Sequence, residues 1–273
     1  MDILYFKLGD VMHFDVVLRQ ARRVCGPDTT LYVLGDKPMN DSVFVDVAQY
    51  QPIIDDFLKC YQHKSTNSYD FQSRALARWL VMAKAIEDLG LEEVFVSDWD
   101  VMLMSDIGDT AERFRQAGCD FTLSKGEAGG TSFWFTLKPF RAHVERMWDV
   151  YRNPDGESAQ LILGHYDNLQ RQGLPGGVCD MTFLKWLHDA DVYMVGDTSK
   201  PMNARVCDHN WLMPDGYQMQ DGNRKRIVWR DGYAHFAPTD CNVLVRCDWV
   251  HCSAHTRIYV PQLFNEFTEH GRK

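Results

Sequence analysis

The sequence predicts an α/β protein with a mixed, mostly parallel central sheet flanked by helices. Two observations carry that expectation. Short β-branched and aromatic runs alternate with amphipathic helical stripes over the first hundred residues, and glycine or proline marks the switches between them. Strands separated by helices build βαβ units, whose crossovers leave the strands parallel.

Ile3–Leu8 reads as the first strand. Phe14, Val17, Leu18, Ala21 and Val24 then form one stripe of a helix that Gly26-Pro27 stops. Thr30–Leu34 and Val43–Val47 are two further strands. Residues 68–89 are the clearest helix: Phe71, Ala75, Leu76, Trp79, Leu80, Ala83 and Ile86 make its apolar face, Arg74 and Arg78 stack at i, i+4, and Gly90 caps the end. Glu93–Ser97 is the next strand. In the second half, Cys119–Leu123 and Thr131–Leu137 read as strands. Pro139–Arg152 reads as a helix with Phe140, Val144, Met147, Trp148 and Tyr151 inward, and two helical stretches follow near 158–172 and 178–190. Residues 196–225 lack periodicity and read as a long irregular segment, functional or mobile. Arg226–Arg230 and Tyr233–Ala237 flank Asp231-Gly232, a hairpin signal. No composition break marks a linker, so residues 1–273 are expected to form one domain.

Composition excludes several functions. Twenty-nine Lys and Arg against 38 Asp and Glu give a net charge of −9, which argues against a nucleic-acid binder held by phosphate contacts. No apolar run approaches the roughly 18 residues of a membrane span. The start lacks a basic region followed by a long apolar one, and the eight cysteines include no Cys-x-x-Cys pair, so free thiols and a cytoplasmic location are expected. Cys247, His251, Cys252 and His255 cluster, but their spacing fits no standard structural zinc site.

The motif of most weight is Asp98-Trp99-Asp100. Two carboxylates one residue apart at a strand's C-terminal end point to the same side, roughly 6–7 Å apart. Ligands of open α/β sheets bind at that end. A carboxylate pair there can hold a divalent cation, which in turn neutralises a diphosphate.

Residues 68–107, with the arginine-bearing helix, Val94–Ser97, Asp98-Trp99-Asp100, Val101 and Asp106-Ile107, resemble the core of GT-A fold glycosyltransferases. The likeness extends with gaps to Gly129–Phe135, to Gly177–Leu184 and to Val250-His251 with Arg257 six residues beyond His251. It implies a Rossmann-like GT-A catalytic domain with a nucleotide-binding half (1–107) and a donor-sugar and acceptor half (108–273). The implied activity is metal-dependent sugar transfer from a nucleotide diphosphate donor, a UDP-sugar first, to a hydroxyl of a carbohydrate or glycoconjugate, in glycan or polysaccharide synthesis. Asp100 would ligate Mn²⁺ or Mg²⁺, with Asp98 on the ribose or a metal-bound water and His251 or His255 completing the shell. Tyr5, Phe6 and Leu8 would line the base pocket, beside Trp99. Arg74 would reach the donor or the first carboxylate, and Lys7 and Arg257 the diphosphate. Gly130 and Thr131 would line the sugar, with the acceptor near Trp134, Asp180 and Trp211. An inverting enzyme would need a general base, Asp180 first and Asp167 second; a retaining one would need none.

Two rivals share these residues. A haloacid-dehalogenase-type phosphatase would use Asp98 as nucleophile and Asp100 as acid. It needs a later acidic pair, for which Val195-Gly196-Asp197-Thr198 offers only a start. A nucleotide-sugar-binding protein without turnover is the non-enzymatic alternative.

Overall fold

Alternation along the first strand sets the layering. In β1 (Asp2–Lys7) Ile3 and Tyr5 turn into one apolar cluster and Leu4 into the other. β2 (Leu31–Gly35), β3 (Val43–Asp46) and β4 (Val94–Ser97) continue that sheet in parallel, with Phe95 on the Ile3 side and Val94 and Val96 opposite. Near-continuous apolar strands covered on both faces are what a parallel sheet requires. β5 (Val101–Leu103) leaves it. β6 (Phe121–Leu123), β7 (Ser132–Trp134) and β8 (Val195–Asp197) extend it to seven strands in the order β3-β2-β1-β4-β7-β6-β8, with β7 antiparallel to both neighbours. This is a computed structural model, and it describes residues 1–271.

The helices follow from the apolar stripes. In chain order they are α1 (Phe14–Cys25), α2 (Gln51–Cys60), α3 (Tyr69–Asp88), α4 (Ile107–Gln116), α5 (Leu137–Arg152), α6 (Glu157–Arg171), α7 (Asp180–Asp189) and α8 (Val260–His270). α1, α4 and α8 pack on the Ile3 face; α2, α3, α5, α6 and α7 pack on the Leu4 face. α3 begins where Ser68 accepts a hydrogen bond from the Phe71 N–H, a cap worth about 1 kcal/mol. Trp79, from its middle, is fully buried against Trp134, Phe140 and His143.

The rest of the second half is a set of small ribbons. β9 (Arg205–Val206) joins β12 (Ile227–Arg230), β13 (Tyr233–Phe236) and β14 (Val245–Cys247) in a sheet ordered β12-β13-β14-β9, while β10 (Met219–Gln220) pairs with β11 (Arg224–Lys225). The β12–β13 hairpin turns at Asp231-Gly232, both with positive φ, as a type I′ turn demands. β15 (Trp249–His251) pairs antiparallel with β5.

Two expectations need correction. The strand expected over 131–137 stops at Trp134, because α5 already starts at Leu137 and carries Pro139 in its first turn, where proline is tolerated. The 196–225 segment is not structureless: it holds β9, β10 and β11, each two residues long and too short to show a period. No helix among the described residues is long and apolar enough to cross a membrane.

Candidate active site

The parallel strands β1 and β4 end side by side, and the chain turns sharply after β4 through Asp98-Trp99-Asp100 into β5. The pairing of β5 with β15 places His251 opposite Val101, the neighbour of Asp100, and the Cys252 N–H donates to the Asp100 carbonyl at 2.8 Å. Backbone register thus delivers the imidazole: His251 Nε2 lies 3.3 Å from Asp100 Oδ1. Its Nδ1 is 2.7 Å from the His209 carbonyl. A carbonyl can only accept, so Nδ1 carries a proton there and Nε2 is the atom turned to the carboxylate. Arg257 Nε donates to the other oxygen of Asp100 at 2.8 Å and lies over the Trp99 ring.

Asp98 is held from α3. Arg78 forks between two acids, donating to Asp98 Oδ1 at 3.0 Å and to Asp180 Oδ2 at 2.7 Å. Asp180 Oδ2 also accepts from Trp79 Nε1 at 3.1 Å, and Oδ1 from the Met181 N–H at 3.1 Å. Opposite Asp98 sits Gly130, where a Cβ would collide with both carboxylate oxygens. No side chain larger than hydrogen fits that spot without moving Asp98.

Charge balance follows from these contacts. Burial would raise the Asp100 carboxyl, but His251 and Arg257 outweigh it and hold it below the usual range. Burial would lower the His251 imidazole, yet Asp100, with smaller help from Asp98 and the His209 carbonyl, pushes it up to about 9. At Asp180 burial again opposes ionisation, and the Arg78 charge and the Trp79 N–H overcome it. His143, buried beneath this pair with neither ring nitrogen bonded, is driven down to about 3 by desolvation.

These groups line an open cavity of about 650 Å³, bounded by Phe6, Leu8, Arg74, Trp99, Met181 and Arg257 among others. One ligand atom from each of Asp98, Asp100 and His251 lies within 4.8 Å of the others. Cations bound to oxygen at about 2.0–2.6 Å span such a triangle, so the set has the size and chemistry of a divalent site. A recess of about 50 Å³ on the other side of Asp98 and His251 is lined by Gly130, Thr131, Ser124 and His209.

Several expected residues fall elsewhere. Tyr5 and Lys7 face away from the cavity that Phe6 and Leu8 line, because strand neighbours alternate: Tyr5 packs on Phe14 and Lys7 sits 3.7 Å from Asp36. Trp134 stacks on Phe121 with no exposure, so it cannot meet an acceptor, and Trp211 is 4% exposed with its N–H on the Lys225 carbonyl. Asp167 is a surface residue on α6 bonded to Lys64 at 2.8 Å. His255 is exposed and lies outside the Asp98, Asp100 and His251 cluster. Arg74 lines the cavity, but Arg78, one turn along the same stripe, is the arginine that reaches Asp98. The i, i+4 spacing flagged both and could not rank them. Asp180 is not a helix cap: Cys179 and Thr182 cap α7 reciprocally, which leaves the Asp180 carboxylate to Arg78.

A mostly parallel sheet, reversed at one strand and flanked by helices on both faces, is a fold of the GT-A type. Among solved structures the chain is similar to the apo form of mouse xyloside xylosyltransferase 1, at 12% identity over 94% of this chain and 99% of that one, with a TM-score of 0.50. It is also similar to the galactosyltransferase LgtC in complex with donor and acceptor sugar analogues, at 13% identity over 76% of this chain and 75% of that one, with a TM-score of 0.44. No protein-family model matches the sequence, and no curated protein matches it. The likeness is one of fold.

Proposed function

We propose that this chain is a metal-dependent glycosyltransferase that moves a sugar from a nucleoside diphosphate donor, a UDP-sugar first, to a hydroxyl of a carbohydrate or glycoconjugate. The observation that carries the reading is the Asp98, Asp100 and His251 triad at the wall of a cavity large enough for such a donor. The donor set fits Mn²⁺ better than Mg²⁺, since one of the three ligands is an imidazole. A bound divalent cation supplies charge stabilisation for the departing diphosphate. Asp100 Oδ1, Asp98 and His251 Nε2 would hold it; Phe6 and Leu8 would face the base, and Arg257 beside Asp100 would meet the diphosphate.

The chain's own groups suggest a division of labour for the rest. Arg78 bridges Asp98, which would face the metal, and Asp180, which would face the donor sugar. A general base works best with a pKa near the operating pH. Asp180 is held below the usual carboxylate range with both oxygens hydrogen-bonded, so we assign it to orienting Arg78 and the donor sugar rather than to taking the acceptor proton. Asp180→Asn is then expected to reduce turnover while leaving the pH profile of kcat unchanged in shape; loss of an acidic limb would return Asp180 to the role of base.

The phosphatase alternative is not supported. Asp197, which it would need as a cation ligand, accepts instead from the Lys125 and Ser199 N–H groups and the Ser199 hydroxyl. A binder without turnover differs only in the assay. Thermal shift with a panel of nucleoside diphosphates, each with and without Mn²⁺, tests the proposal. One nucleotide is expected to stabilise the fold only with metal, by about 2.7 kcal/mol at one hundred times its Kd. Stabilisation by none of them would sink the donor assignment.

A further inference from the structure

Behind His251 lies a charged group that the proposed chemistry does not use. Lys225, on β11, is 1% exposed and its ammonium donates three hydrogen bonds: to Asp208 Oδ1 at 2.6 Å, to the Asn210 carbonyl at 2.8 Å and to Asp215 Oδ2 at 2.7 Å. Asp208 is fully buried, and its second oxygen accepts from the His251 backbone N–H at 3.1 Å. Lys225 therefore grips the residues on either side of His209, whose carbonyl meets His251 Nδ1.

The rest of this layer ties the same two segments together. Trp249 Nε1 donates to the Asp208 carbonyl at 3.0 Å, the Trp211 N–H to the His251 carbonyl at 3.1 Å, and Ser253 Oγ to Asn210 Oδ1 at 2.8 Å. Segment 208–211 thus runs as a brace along 249–253. Taking an ammonium and a carboxylate out of water costs several kcal/mol per ion, and an apolar pair of similar volume often stabilises a fold equally well. A charged pair kept here calls for a role that an apolar pair would not fill. Groups that hold the far nitrogen of a ligating histidine set its tautomer and ring orientation.

We infer that Lys225 and Asp208 are positioning residues for His251: the ion pair pins the His251 backbone through Asp208 and aims the His209 carbonyl at Nδ1, presenting Nε2 to the cation. This rests on the metal reading above. Lys225→Met alone would strand the Asp208 charge, so the informative variant is Asp208→Leu with Lys225→Met, which removes that pair together and leaves Asp215 its bond to Lys125 at 2.6 Å.

The experiment titrates Mn²⁺ into wild type and double variant, following free Mn²⁺ by electron paramagnetic resonance and the fold by circular dichroism. The variant is expected to fold and to show a Kd for Mn²⁺ raised about 10- to 100-fold, the cost of losing a ligand's support. An unchanged Kd in a folded variant overturns the inference and leaves the metal reading standing. Wild-type protein that takes up no Mn²⁺ overturns the metal reading and this inference with it. A measurement on wild type alone decides the matter should the variant not fold. Nitrogen-15 NMR of His251 at about pH 10, where imidazoles are neutral, is expected to show the Nδ1–H tautomer. The Nε2–H tautomer would overturn the inference.

Discussion

Replacing Asp100 by alanine is expected to abolish Mn²⁺-dependent donor binding and to lower sugar transfer by roughly three orders of magnitude. A cation's stabilisation of transition-state charge is worth several kcal/mol, and each 1.36 kcal/mol is tenfold in rate. His251 and Arg257 both converge on Asp100, so its loss would remove a ligand of the proposed cation and free both partners. The pH behaviour carries the sign. In wild type His251 keeps its proton up to about pH 9, so the stability from the His251–Asp100 pair is complete below the free imidazole's pKa of about 6.5 and lost as pH rises through 9. In the variant burial remains and the largest counter-charge is gone, which lowers the imidazole from its wild-type value, with only Asp98 and the His209 carbonyl left to raise it. Wild type is therefore expected to lose more melting temperature between these two pH values than Asp100→Ala does. On the proposed metal reading, Mn²⁺ uptake is expected to release a proton from His251 and to strengthen as pH rises. A variant with normal metal dependence and normal transfer would remove Asp100 from the site.

Arg78→Met is expected to be the most destabilising single change at the site. Removing one partner of a buried ion pair costs about 3–5 kcal/mol because the other charge stays behind. Here two carboxylates stay, Asp98 and Asp180, with Arg78 itself 22% exposed, so the lower end of that range applies. At about 2–4 °C per kcal/mol for a large domain, melting should fall by roughly 6–12 °C. The Asp180 carboxyl is depressed in wild type, so its contribution is present at neutral pH and lost as pH falls through its folded-state value. The gap between wild type and variant should accordingly narrow in acid, where Asp180 protonates. Arg78→Lys keeps a charge but not the planar fork that spans two acids, and should recover only part of the loss. Melting curves at neutral and acid pH check all three statements. A gap that widens in acid would place Arg78 outside this charge balance.

What could be read from residues alone was whatever repeats with a period. β1 to β4, α1 and α3 announce themselves through apolar spacing, and Asp98-Trp99-Asp100 through its place after an apolar strand. Tyr5 and Lys7 were expected in the pocket with Phe6 and Leu8 because strand direction is legible and strand face is not, until the layers on both sides are known. Trp134 and Trp211 show the same limit for aromatics, whose flat faces suit a sugar and a core equally. Asp208 leaves no local signal, and Lys225 is hidden in the basic run Arg224-Lys225-Arg226, where nothing marks it as the one that meets Asp208; only the folded chain brings the two against each other.

The pairing of β5 with β15 has a consequence for biosynthesis. Asp100 and its partner Arg257 stand 157 positions apart, and the strand bearing His251 is the last in the described chain. A nascent polypeptide that has emerged only as far as α7 already contains the acidic turn, with Arg78 for Asp98, but neither of the groups that pair with Asp100. Synthesis proceeds at roughly 5–20 residues per second, so Asp100 waits roughly 8–30 seconds before its counter-charges leave the ribosome. The β5 edge is unpaired over the same interval, an open invitation to a wrong strand. The same strand that closes the edge brings His251 to the carboxylate, so a chain clipped before β15 is expected to lack both.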